Sequence, residues 1–107
     1  MKKIDLKISK VLASDVLDIP LEAICDIYMD GMSILIRKMN NRIEEHSIYE
    51  FAFKCKEWAL KKGFKIYSSC KSSSISQDGI LLWISSGENN EIETIIKACE
   101  WILENSK

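Results

Sequence analysis

The sequence predicts an α+β fold, an antiparallel sheet of two strands or more flanked by helices, with a mainly helical N-terminal segment. Three observations carry this. Residues 48–62 and 90–104 each hold an apolar stripe at helical spacing. Ile80 to Ile84 is a short, continuous apolar run of strand length, and Phe64 to Cys70 reads as a strand before it. Over 107 residues, 47% apolar and 29% charged side chains fit a single globular domain rather than disorder.

Taken in order, residues 4–17 read either as a strand (Ile4, Leu6, Ile8) or as a short helix (Ile8, Val11, Leu12, Val16). Residues 20–45 also admit two readings. Asp30-Gly31 is a hairpin signal, with Cys25, Ile27 and Met29 sharing a face with Met32, Ile34 and Ile36. Against it, Leu21, Ile24, Cys25, Tyr28, Met32, Leu35, Ile36, Met39 and Ile43 make one helical stripe, and Glu22, Asp26, Asp30, Ser33 and Arg37 fall opposite. The hairpin's second face would mix Ile24, Leu35 and Met39 with Asp26 and Arg37. The helix is therefore preferred, starting near Pro20, where proline suits a first turn.

Ser47-Ile48-Tyr49-Glu50 has the form of a capping box. The helix it opens should run to about Lys62 and bury Ile48, Phe51, Ala52, Cys55, Trp58 and Ala59. Gly63 supplies a left-handed stop, with Phe64 folding back on the last turn. Lys71 to Gly79 is serine-rich, ends in Gln-Asp-Gly, and reads as a loop. Gly87-Glu88-Asn89-Asn90 breaks the strand and offers an Asn cap. The last helix, about 90–104, should bury Ile92, Ile95, Ile96, Cys99, Ile102 and Leu103. One domain, 1–107, is thus expected, with an N-terminal segment over 1–46 and a helix–hairpin–helix unit over 47–105. Lys54-Cys55-Lys56-Glu57-Trp58-Ala59-Leu60 echoes Lys97-Ala98-Cys99-Glu100-Trp101-Ile102-Leu103, a match too short to establish a duplication.

The segments YEFAFKCKEWALKKGF and KACEWILENSK, within the last 60 or so residues, resemble short uncharacterised proteins of bacterial and prophage genomes. The helix–hairpin–helix order is similar to small phage sandwich domains. The resemblance implies a mobile-element origin and no particular activity.

Composition narrows the function classes. Net charge is -1, without the basic excess usual in a nucleic-acid binder. No apolar run approaches a membrane span, and the charged start Met1-Lys2-Lys3-Ile4-Asp5 lacks a signal-peptide core, so a cytoplasmic protein is expected. Cys25, Cys55, Cys70 and Cys99 are far apart and the one histidine is His46. Structural zinc draws on close ligand pairs, so neither metal nor cofactor is expected, and the thiols read as reduced core residues. His46 lies between Glu44, Glu45 and Ser47, but neighbours in sequence rarely converge on one point. It reads as a solvated histidine at a helix junction. No phosphate-binding loop, dinucleotide fingerprint or nucleophile elbow is present, so no catalytic residue is assigned and the chain is not expected to be an enzyme.

Two binding classes remain. A helix-turn-helix can be laid on 21–43, with Arg37, Lys38, Asn40, Asn41 and Arg42 toward DNA. Met29 and Asp30 suit its turn poorly, and Asp26 and Asp30 would repel phosphate. Double-stranded-RNA-binding order has the wrong sign at Glu91 and Glu93. The stronger reading is protein interaction, because the apolar surface is in excess. Tyr49, Phe53 and Leu60 lie opposite the core stripe of their helix. Leu81 and Trp83 lie opposite Ile80, Leu82 and Ile84, and Trp101 points away from Cys99 among Thr94, Lys97 and Glu104. A self-associating module, most simply a homodimer, or one that binds another protein, is expected. Trp101 is the first choice of anchor, with Tyr49, Phe53, Leu60 and Trp83 as further interface candidates.

Overall fold

The computed structural model describes residues 8–69, 72–86 and 91–105, with the backbone alone at 85 and 86. It is α+β, with three α-helices and two three-stranded antiparallel sheets among these residues. The chain divides into two compact units, 1–51 and 52–107, and the division falls inside the second helix.

In the first unit, α1 (Lys10–Leu17) takes the helical option for the N-terminus. Ser9 caps it by accepting from the Leu12 N–H at 3.1 Å, and Asp18 closes it in the left-handed conformation. Leu12 and Ala13 are fully buried.

Residues 20–45 correct the helical expectation. After a single 3-10 turn at Leu21–Ala23 they form β1 (Ile24–Asp30) and β2 (Ser33–Lys38), followed by β3 (Ile43–Ser47), in the order β1-β2-β3. Asp30 pairs with Ser33, so the hairpin loop is Gly31-Met32, with Gly31 at φ 62°. Glycine first in a two-residue loop is the preference of a type II′ turn. Ile27 faces Ile36 and Met29 faces Ile34 across the inner side, with Ile34 and Ile36 fully buried. An irregularity in register between Ile24 and Asp26 lets Ile24 be buried as well. Tyr28 pairs with Leu35, and Asp26 with Arg37, on the other side. The helical stripe of the sequence was therefore a sum of two sheet faces, each partly apolar. Arg37 and Asp26 form an ion pair there, which makes the mixed face tolerable.

The helix α2 (Ile48–Lys61) follows β3 directly. Its expected stripe is buried in full: Ile48, Phe51, Ala52, Cys55, Trp58 and Ala59. Gly63, at φ 92°, ends it as expected. The Phe64 N–H donates to the Ala59 carbonyl at 2.9 Å and the Gly63 N–H to that of Leu60 at 3.0 Å, the paired bonds of a Schellman stop.

The second unit continues with β4 (Lys65–Ser68), β5 (Ser72–Gln77), β6 (Ile80–Ser86) and α3 (Glu91–Asn105). The serine-rich stretch read as a loop is the central strand β5, and the two expected strands both pair with it rather than with each other. The hairpin therefore becomes a three-stranded meander. Serine alternates with function here. Ser73 and Ile75 are buried, and the Ser73 hydroxyl donates to the Thr94 carbonyl of α3 at 2.9 Å. A small, bonded side chain lets a helix lie close on the sheet. Asp78 and Gly79 form the two-residue β5–β6 loop, both at positive φ (53° and 79°), as a type I′ turn requires. On α3, Ile92, Ile95, Ile96, Cys99 and Ile102 are buried as expected, together with Thr94 and Ala98. The Asn cap expected at 89–90 lies outside the described residues. The echoed segments fall at matching places: Trp58 is ten residues beyond the start of α2 and Trp101 ten beyond the start of α3, and each helix follows a three-stranded meander.

Candidate interaction surface

The second unit has its helix α3 engaged on two sides. Toward α2, the Cys99 thiol donates to the Cys55 carbonyl at 3.6 Å. Toward the sheet, Thr94 meets Ser73, and the Trp101 ring lies 6.4 Å from that of Trp83 at an interplanar angle of 32°. Trp101 therefore has an intrachain partner and is half-buried, as is Trp83. The helix does not have a single core side, because a sheet packs on the face that carries Thr94 and Trp101. Trp101, the first-choice anchor, and Trp83, a further candidate, thus meet each other within the chain.

The other side of the same sheet is open. Tyr67 pairs with Ser74, and Ser74 with Ile84, across this outer face. The register slips between Ile75 and Ser76: Ile75 faces Trp83, but Ser76 faces Leu81, so Leu82 is the extra residue of a bulge. The bulge breaks strict alternation and turns Leu81 outward beside Ser76. Tyr67 is 58% exposed, Leu81 56% and Ile84 62%. Together with Ser68, Ser69, Ser72, Ser73 and Ser74 they line an open groove of about 320 Å³, a serine floor between apolar walls. Tyr67 also borders a second groove of about 260 Å³ with Lys56, Leu60, Phe64, Lys65 and Ile66. The apolar surface of the unit thus continues from Leu60 on α2, past Tyr67 on β4, to β6. Phe53 is 65% exposed on α2, and Tyr49, in the part of that helix belonging to the first unit, is also exposed. Three of the five sequence candidates, Tyr49, Phe53 and Leu60, are therefore surface residues. Tyr67 and Ile84 were missed as candidates. Their signal was the alternation of β4 and β6, legible only once β5 is known to be a strand.

Several charged groups of the first sheet pair with one another. On β2, Arg37 pairs with Asp26, which lowers the Asp26 pKa chiefly through that hydrogen bond. Lys38 pairs with Glu44 and holds its carboxyl below the usual range, with help from His46, whose Nε2 is 3.2 Å from Glu44 Oε1. His46 thus sits on β3 opposite Ile34, two residues before the start of α2, and is half-buried. The residues proposed for a helix-turn-helix form β1, β2 and their turns, so no recognition helix exists there. Arg37 and Lys38 are adjacent on a strand and engage different partners. Among the described residues no three His, Cys, Asp or Glu side chains gather as a metal site. No described helix is long and apolar enough to cross a membrane. Cys25, Cys55 and Cys99 are free thiols, while Cys70 lies outside the described residues.

No family model, no curated protein and no solved structure matches this chain.

Proposed function

We propose that this chain is a small, non-enzymatic protein-interaction module that self-associates, and that it works in the cytoplasm. The observation that carries the reading is the outer face of the second sheet, where Tyr67, Leu81 and Ile84 stand more than half exposed around a serine floor. Burying a large apolar side chain stabilises by roughly 1.5–3 kcal/mol. A cluster of them left in water marks a contact surface, not ordinary scatter. The free thiols at 25, 55 and 99 support a reducing compartment. The likeness of the 49–64 and 97–107 segments to bacterial and prophage proteins supports an accessory role in a mobile element. Sedimentation velocity across the micromolar range tests the reading. A concentration-dependent dimer is expected, and a sharp monomer at every concentration would overturn self-association.

A further inference from the structure

Residues 54–65 hold five lysines and one acid, Glu57, against a net charge of -1 for the chain. These lysines do not act as one patch. Lys54 and Lys61 lie roughly 140–160° round α2 from Lys56. The Lys62 ammonium sits over the Trp58 ring, 5.3 Å from its centroid. Lys56 and Lys65 are different. Both line the groove of about 260 Å³ beside α2 and β4, and neither is in an ion pair among the described residues. Between them the lining is apolar, with Leu60, Phe64, Ile66 and Tyr67, and it holds no carboxylate. Phe64 is buried while Leu60 and Tyr67 are more than half exposed, so the apolar lining runs from the core out to the surface. Lys65 and Tyr67 stand on one face of β4 and Ile66 on the other, which sets the groove along that strand, an outer one in its sheet.

We propose that this groove docks an acidic segment of a partner protein, an extended peptide in which a bulky apolar side chain is flanked by Asp or Glu. The apolar side chain fills the space between Leu60, Phe64 and Tyr67, and the flanking carboxylates meet Lys56 on α2 and Lys65 on β4. Charge complementarity fixes the sign of the occupant, since the only charges on the lining are two ammonium groups. Size fixes its kind. At about 260 Å³ the groove falls below the roughly 300–1,000 Å³ usual for a whole small-molecule ligand, and it has room for one or two side chains. A site along a strand suits an extended chain, whose alternate side chains fall into flanking pockets. Two cations around an apolar floor are too few for a phosphate backbone, which is held by several. The surface is distinct from the outer sheet face assigned to self-association, with which it shares only Tyr67.

A peptide array with the full chain tests this. Short peptides with a central Leu, Phe or Trp flanked by Asp and Glu should bind, and the same cores flanked by Ser or by Lys should not. In fluorescence anisotropy with the best acidic peptide, Lys56→Glu combined with Lys65→Glu should raise the Kd at least about tenfold, with an unchanged circular dichroism spectrum. The doubly reversed protein should gain the Lys-flanked peptides. Lys54→Glu combined with Lys61→Glu makes the same change in net charge on the other side of the helix, and should move the Kd less than about twofold. If the groove variant does not fold, Lys65→Glu alone decides, with a loss of about threefold or more expected. No preference for the acidic set would overturn the proposal. So would an acidic preference that the groove variant weakens no more than the control variant does. Duplex DNA or phosphatidylserine vesicles that displace the peptide at physiological salt would also overturn it, by assigning the lysines to a phosphate surface. Sedimentation reads self-association separately, so neither result decides the other.

Discussion

At Cys55 and Cys99, two thiols serve as small apolar side chains, and one also bonds. Both are fully buried, and the Cys99 thiol donates to the Cys55 carbonyl. The neighbouring Cys99 thiol, and then burial, push the Cys55 thiol far above its ordinary value of 9.0. Unfolded, Cys55 loses its proton near that ordinary value, while folded it keeps it, so the folded state binds more protons and stability falls as pH rises. Denaturant melts should therefore show a loss above about pH 9, approaching 1.4 kcal/mol per pH unit for one such group. Cys55→Ala should flatten that slope relative to wild type, and an identical slope in the variant would show that other groups cause the loss. Cys55→Asp puts an unpaired charge where both helices meet and should leave the protein unfolded by circular dichroism at neutral pH. Cys55→Ala at pH 7 should cost only about 1–2 kcal/mol. These positions were legible in the sequence, since the helical stripe alone placed both cysteines inside. Their mutual contact was not, because 44 residues separate them.

At the scale of elements, the pair Trp83 and Trp101 ties β6 to α3. Tilted aromatic pairs at this separation add about 0.5–1.5 kcal/mol beyond the area they bury. Trp83→Ala and Trp101→Ala should each destabilise the fold by about 2 kcal/mol in urea melts, and the double variant by less than the sum, because the two share one contact. Strict additivity would mean that each ring packs independently. The helix stripes, the Gly63 stop and the antiparallel class were readable from periodicity and turn chemistry. The strand β5 was not, because serine is a turn residue by composition. It becomes a strand here because two neighbours and a helix give Ser73 a buried hydrogen bond and Ile75 a place in the core. The hairpin at Gly31 was legible as a signal and outweighed by a false helical period. The register irregularity near Cys25, with apolar residues on both faces of β1 and β2, produced that period.

For the whole chain, the balance of charge bears on partners. Net charge is -1, the first turn of α3 carries Glu91 and Glu93, and the cations Arg37 and Lys38 are paired with Asp26 and Glu44. A phosphate backbone releases counterions only to free, clustered cations. Fluorescence anisotropy with labelled duplex DNA and duplex RNA at physiological salt should accordingly show no appreciable binding. Tight binding that weakens steeply with salt would reverse this and make nucleic acid the partner. Along the chain, each of the two three-stranded antiparallel meanders is followed by a helix, and the Glu-Trp echo at 57–58 and 100–101 occupies the same place in both helices.

The sequence by itself determined α2 and α3, most of their buried stripes, the end of α2 and the α+β class. Each of these depends on bonds or spacings within a few residues, so local chemistry is enough. Only the tertiary structure decided that residues 24–38 are strands, that Ser72–Gln77 is the centre of a sheet, and that Trp101 is covered while Tyr67, Leu81 and Ile84 are not. A strand's hydrogen bonds lie in another segment, and an apolar face is core or surface according to what packs on it, which no window of neighbouring residues contains.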